Sequence, residues 1–126
     1  MRYQGVKPPA AWLGTAAEAS LDLDRLDAPT AFFNGSAREA ALTYPKNANV
    51  AATLALAGAG LDATRVELIA DPAATGNRHS YEVTSPVARF RVQIDNAASG
   101  GNAKTSMATI YSLLREINRR RRPVVI

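Results

Sequence analysis

Apolar residues recur along this chain with two different periods. Residues 88–94, Ala-Arg-Phe-Arg-Val-Gln-Ile, alternate, sending Phe90, Val92 and Ile94 to one face and Arg89, Arg91 and Gln93 to the other. That period of two predicts a strand with Phe90, Val92 and Ile94 directed inward. Residues 79–83 alternate as well, with His79, Tyr81 and Val83 sharing a face, and Ser85-Pro86 between the two runs predicts a hairpin or meander. A third strand is expected over Arg65-Val-Glu-Leu-Ile-Ala70, ended by Asp71-Pro72. Two segments follow the helical period instead. Val50-Ala-Ala-Thr-Leu-Ala-Leu-Ala57 is apolar on every side, which predicts a buried helix. Met107, Ile110, Leu113, Leu114 and Ile117 form a stripe on a helix running from about Lys104 to Arg120, expected to pack on the core.

Capping signals place the remaining elements. Thr15-Ala-Ala-Glu18 reads as a capping box, opening a short helix that fades between Asp22 and Asp27. Ser36-Ala-Arg-Glu39 is a second such box, opening a helix that Pro45 stops near Tyr44. Thr30-Ala-Phe-Phe-Asn-Gly35 predicts a short strand with Gly35 as its turn, and Asn47 or Asn49 can cap the apolar helix, which ends near Gly58. The opening, with Pro8-Pro9, reads as irregular; residues 96–101 read as a loop and Pro123-Val-Val-Ile126 as an edge strand. The sum is one α+β domain over residues 1–126: a small, mostly antiparallel sheet covered by about four helices.

Composition narrows the function classes. The chain has 126 residues, 47% of them hydrophobic, enough for one ordinary core. No apolar run reaches membrane-spanning length and the start has no apolar signal region, so a cytoplasmic protein with no membrane partner is expected. Cysteine is absent and His79 is the one histidine, so disulfides, thiolate chemistry and a metal centre are not expected. The net charge of +4 is drawn partly from Arg119-Arg-Arg-Arg122. With aromatic residues at 6%, no stacking platform accompanies that run, and it reads as a solvated helix end with no nucleic-acid partner.

Three places carry candidate chemistry. Lys46, Asn47 and Asn49 stand at the mouth of the apolar helix, where free N–H groups and the positive dipole end attract carboxylates; plain capping by asparagine is the competing reading. His79 follows the Gly76-Asn77-Arg78 turn, and an imidazole titrates near neutral pH, as proton transfer requires; a structural histidine is the alternative. Asn102-Ala-Lys104-Thr105-Ser106 opens the last helix with hydroxyls and a lysine, either as a second anion cradle or as a cap. Gly58-Ala-Gly60-Leu-Asp-Ala63 fits the G-x-G-x-x-[GA] string. It follows a helix and precedes a strand, the reverse of the order a dinucleotide site requires, so it reads as a helix end and turn.

Three stretches resemble one family: residues 35–58, from Gly35-Ser-Ala-Arg-Glu to Leu-Ala-Gly58; residues 69–79, Ile-Ala-Asp-Pro-Ala-Ala-Thr-Gly-Asn-Arg-His; and Asn102-Ala-Lys-Thr-Ser106. They are similar to the C-terminal catalytic domain of the L-aspartate dehydrogenases. The resemblance implies NAD- or NADP-dependent oxidation of L-aspartate to iminoaspartate, reversible as reductive amination of oxaloacetate, with a product that feeds NAD biosynthesis. It also implies an N-terminal Rossmann domain that binds most of the cofactor and that this chain does not contain, so the domain alone is expected to be incompetent. By the same resemblance His79 is the acid/base and Asn49 contacts the nicotinamide end of the cofactor. Lys46, Asn47, Asn77, Lys104, Thr105 and Ser106 are candidates for the substrate carboxylates. A homo-oligomer, a dimer in the simplest case, is expected. The alternative is a stand-alone, non-enzymatic domain that oligomerises or binds dicarboxylates.

Overall fold

The computed structural model describes residues 1–97 and 107–121. In chain order it contains β1 (Arg2–Lys7), 3-10 turns at Pro9–Trp12 and Ala16–Ala19, β2 (Thr30–Ser36), α1 (Ala37–Thr43), α2 (Asn49–Ala57), β3 (Arg65–Ala70), β4 (Gly76–Thr84), β5 (Arg89–Ala97) and α3 (Met107–Arg121). The strands form one sheet in the order β2-β3-β1-β4-β5. β1 runs parallel to β3, and the other three pairings are antiparallel. The α+β class and the mostly antiparallel sheet are thus as the sequence predicts. The expected edge strand over residues 123–126 and the cradle at Lys104, Thr105 and Ser106 lie outside the described residues.

Two strands run longer than expected: β4 takes in the Gly76-Asn77-Arg78 segment read as a turn, and β5 takes in Asn96 and Ala97 from the expected loop, because the two extensions pair with each other. Two other elements differ in kind. The opening is the middle strand of the sheet. Gly5 and Lys7 are poor strand formers, but β1 is bonded on both edges, and that pairing overrides local propensity. The helix expected after Thr15 is a single 3-10 turn, leaving three α-helices among the described residues. The Thr15 hydroxyl accepts from the Ala17 N–H but donates back to the Trp12 carbonyl, at 2.6 Å, and Glu18 adds no reciprocal bond. Without that second half the box holds one turn and no more.

The second box is complete. The Ser36 hydroxyl accepts from the Glu39 N–H, and the Glu39 carboxylate accepts from the Ser36 N–H at 2.7 Å and from its hydroxyl at 2.8 Å. Gly35 makes room for this, since a Cβ there would lie 2.8 Å from that carboxylate. Gly35 is therefore the last-but-one residue of β2 rather than a separate turn. The hydrogen bonds from Ser36 hold the Glu39 carboxyl below its ordinary value. The cap is accordingly intact above that range and is lost as pH falls through the depressed value. Ser36→Ala is expected to cost about 1 kcal/mol in urea-induced unfolding; an unchanged midpoint would show that α1 draws nothing from its cap.

Register sorts the sheet into two unlike faces. Tyr3, Gly5 and Lys7 of β1 share a face with Val66, Leu68 and Ala70 of β3, with His79 and Tyr81 of β4, and with Val92 and Ile94 of β5. Over the β2-β3-β1 half of this face lies the core, where Trp12, Tyr44 and the small side chains of α1 and α2 close on Tyr3, Val66 and Leu68. The opposite face is charged and ion-paired, with Arg2 and Gln4 on Glu67, Arg78 on Asp95 and Arg89 on Glu82.

Apolar periodicity overstated burial in three places. Ala51 and Ala55 of α2 are fully enclosed, but Leu56 is 72% exposed, so the helix is buried along one side only. Phe90 and Ile94 share the core face of the sheet as expected, yet each is 49% exposed, and no helix among the described residues packs extensively on β5. Leu113, Leu114 and Ile117 of α3 are likewise exposed instead of packed on the core. A stripe reports that a face is apolar; it does not report what covers it.

Candidate functional site

β1 and β4 build the site between them. Gly5 stands directly opposite His79, and the hydroxyl of Tyr3 crosses above Gly5 to reach the ring. A Cβ on Gly5 would sit 3.1 Å from that hydroxyl, so the bare glycine gives the Tyr3 ring room to lie across the strand toward His79. The Tyr3 hydroxyl lies 2.7 Å from His79 Nδ1. Burial pushes the Tyr3 phenol well above its ordinary value, so it keeps its proton at any working pH. Its one hydrogen-bond partner among the described residues is Nδ1, and the bond suits either neutral tautomer: the phenol donates when the ring proton is on Nε2 and accepts when it is on Nδ1. Nε2 has no protein partner among the described residues and is not one of the fully enclosed orphaned atoms.

Burial and then the charge of Lys7 lower the His79 pKa from its ordinary value, so the imidazole is neutral at pH 7. His79 and Lys7 are each only 8% exposed. Lys7 ends β1, with its ammonium over the Trp12 ring, 5.3 Å from the centroid. Lys7 follows Val6 at the end of β1 and Asn77 precedes Arg78 in β4, so both lie at the same end of the sheet, just past the last residues paired between the two strands. Asn77 shares the face of His79 and is half-buried.

The helix-mouth residues divide. Lys46 is exposed. Asn47 is buried, and its Nδ2 donates to the Ala11 carbonyl at 2.9 Å, tying the α1–α2 turn to the Pro9–Trp12 turn. Neither asparagine caps α2; Ala48 occupies the N-cap. Asn49 is exposed, its Oδ1 accepting from the Val50 N–H and its Nδ2 left unpaired among the described residues. Trp12 links the two halves of the expected site, touching Tyr44 beside the helix mouth and Lys7 beside His79. The Gly58–Ala63 string forms the helix end and turn expected of it, with Gly60 at φ 88° and its N–H on the Ala55 carbonyl.

Sequence reasoning missed Tyr3 and Lys7. The signal was present: Tyr3, Gly5 and Lys7 alternate with Arg2, Gln4 and Val6, and a glycine inside a strand marks a close approach.

The described residues contain no group of carboxylates and histidine able to hold a metal ion, and no helix among them is long and apolar enough to cross a membrane. Among the described residues, the site offers an imidazole with one free nitrogen, an ammonium with no ion pair and amide side chains. Comparison with known proteins gives these residues a context. The L-aspartate dehydrogenase of Ruegeria pomeroyi is 52% identical over 118 residues, 94% of this chain and 43% of the relative. That of Pseudomonas aeruginosa is 50% identical over 117 residues, 93% of this chain and 44% of the relative. The crystal structure of aspartate dehydrogenase from Thermotoga maritima superposes with a TM-score of 0.70 at 30% identity, covering 99% of this chain and 45% of that one. The chain therefore spans less than half the length of these relatives. The family described as "Aspartate dehydrogenase, C-terminal" matches residues 1–120, and the chain belongs to that family.

Proposed function

We propose that this chain is the catalytic domain of an NAD- or NADP-dependent L-aspartate dehydrogenase, completed by a nucleotide-binding domain of the kind that fills the rest of its relatives' length. The observation that carries the reading is the Tyr3–His79 pair: a buried neutral imidazole, fixed at Nδ1 and free at Nε2. His79 moves the proton and Asn49 meets the nicotinamide carboxamide. Asn49 suits that role because its Nδ2 is exposed and unpaired among the described residues. Lys46 is exposed and can approach a carboxylate from solvent, whereas Asn47 acts through the Ala11 bond, as a brace for the helix mouth. Lys104, Thr105 and Ser106 remain candidates for the far carboxylate on their helix-end chemistry alone.

The nicotinamide, when bound, takes the hydride from the substrate Cα; the protein orients and handles protons. Toward amino acid, the Nε2–H tautomer is the donor, with the Tyr3 hydroxyl donating to Nδ1. Toward imine, Nε2 must be a base, which requires the proton on Nδ1. The Tyr3 hydroxyl then turns to accept from Nδ1–H, so the same 2.7 Å bond serves both directions. The product imine hydrolyses to oxaloacetate and ammonia, and supply of iminoaspartate to NAD biosynthesis and a cytoplasmic setting belong to this reading.

The test is aspartate-dependent reduction of NAD and NADP by the chain joined to its nucleotide-binding domain; no turnover with either cofactor overturns the assignment. Dimerisation is part of the same reading, supported by the open apolar positions Phe90 and Ile94 of β5 and Leu113, Leu114 and Ile117 of α3. Light scattering is expected to give twice the chain mass, and a monomer at micromolar concentration would remove the dimer.

A further inference from the structure

Lys7 is charged, nearly enclosed and unclaimed. No ion pair among the described residues includes it, and its carbonyl, not its ammonium, accepts the Asp71 N–H. Asp71, the acid brought beside Lys7 by that backbone bond, turns its carboxylate to the Ala73 N–H. Around the ammonium stand the Trp12 ring, the neutral His79 and, by register, Asn77. The indole Nε1–H of Trp12 is itself enclosed without a partner. From β5 the residue opposite His79 is Ile94, and Tyr3 meets the ring from β1, so no carboxylate answers Lys7 from the strands packed beside it. A buried ammonium without an anion is an unfavourable arrangement, and a folded chain that keeps one has a reason outside its own stability.

We propose that Lys7 is the substrate-carboxylate receptor of this site: it holds one end of a small dicarboxylate beside His79, with Asn77 as the neighbouring amide donor. This deepens the dehydrogenase reading and rests on it for the identity of the dicarboxylate. The anion supplies the charge that Lys7 lacks. Burial holds the Lys7 ammonium below its ordinary value, and an arriving carboxylate reverses that. It also cancels the Lys7 field that depresses His79, so binding at one end of the substrate prepares the base at the other.

The probe is succinate, which has two carboxylates and no group that can react. In the 126-residue chain, NMR titration of the one imidazole is expected to show its pKa rising on addition of succinate and unmoved by uncharged succinamide. Lys7→Met is expected to start with a higher His79 pKa, to lose the succinate response, and to unfold at a higher temperature than the parent. Lys7→Gln repeats the loss of response should the methionine variant not fold. A succinate response that survives both substitutions overturns the proposal, as does no response in the parent chain. A lower melting temperature with the response intact would make Lys7 a structural partner of Trp12. Trapping of a keto acid on Lys7 by borohydride would make it a nucleophile, and would also overturn the proposal. In the complete two-domain protein, Lys7→Met is expected to raise KM for aspartate about 100-fold with a smaller change in kcat. Unchanged KM sinks the receptor and leaves the dehydrogenase standing. A Lys7-dependent succinate response without aspartate turnover does the reverse.

Discussion

On the proposed dehydrogenase reading, replacing His79 with glutamine is expected to lower kcat/KM for aspartate oxidation by about 100- to 10,000-fold in the complete two-domain protein, the usual range for loss of a positioned acid/base. Glutamine fills similar space and can still accept from the Tyr3 hydroxyl, so the fold is retained while the proton path is not. The pH profile is the sharper readout. Burial and the Lys7 charge place the His79 pKa below its ordinary value of about 6.5. Wild-type kcat/KM for oxidation is therefore expected to be level at neutral pH and to fall as pH drops through that lowered value, where the ring becomes an imidazolium with no free nitrogen to act as base. The glutamine variant loses this limb. Stability carries the same signature with a definite sign. The folded state binds the imidazole proton less well than the unfolded chain. Stability is therefore unaffected above about pH 6.5 and is lost as pH falls from there through the folded value. His79→Gln abolishes that loss. A glutamine variant with wild-type kcat/KM, or with the acid limb intact, would mean that the proton passes elsewhere.

The two halves of this site were unequally visible in the sequence, for physical reasons. Local signals survived into the structure wherever one residue's chemistry fixes its own backbone. Ser36 and Glu39 cap α1, Pro45 follows its end, and β3 begins and ends at the predicted residues. His79 could be singled out because it is the one histidine and because the family resemblance reaches it. Tyr3 and Lys7 could not be placed so easily. Their partners lie 76 residues away for Tyr3 and in a separate strand and turn for Lys7. A strand bonded on both edges needs no propensity of its own, so β1 left little trace beyond a weak alternation. Lysine beside a helix mouth is a recognisable arrangement, as at Lys46; among the described residues the lysine that is buried and makes no ion pair is Lys7. Asn47 stands at the helix mouth, but its amide bonds the Ala11 carbonyl instead of capping the helix. The exposed stripes on β5 and α3 follow the same logic. Period two and period 3.6 identify a face, and the identity of its cover is not written in the element that bears it.

Trp12→Ala is expected to cost about 3–5 kcal/mol, a large part of the roughly 5–15 kcal/mol that stabilises an ordinary domain. Trp12 is fully enclosed and is the chain's one tryptophan. Its ring meets Phe32 edge-on at 4.8 Å and Tyr44 at 6.3 Å, while Phe32 and Phe33 both meet Tyr44, at 5.6 and 5.5 Å. Two consecutive phenylalanines reach the same tyrosine because the β2–β3 register slips between Ala31 and Phe33. The cluster therefore fastens the Pro9–Trp12 turn to β2 and to the end of α1, and alanine leaves a cavity bounded by three elements. The same ring carries Lys7 on its face, so its loss unseats the ammonium as well as the core. Trp12→Phe separates the two effects: it keeps an aromatic face for Lys7, removes the orphaned indole N–H, and gives up only part of the packing. Urea unfolding followed by circular dichroism is expected to rank the chain above Trp12→Phe and Trp12→Phe well above Trp12→Ala. The succinate response of His79 should persist in the phenylalanine variant and disappear in any folded population of the alanine variant. Were the alanine variant to lose less than about 1 kcal/mol, the size of an ordinary substitution, the turn that joins the helix mouth to the imidazole would be held by something other than this cluster. The Asn47 bond to Ala11 would then be the next contact to remove.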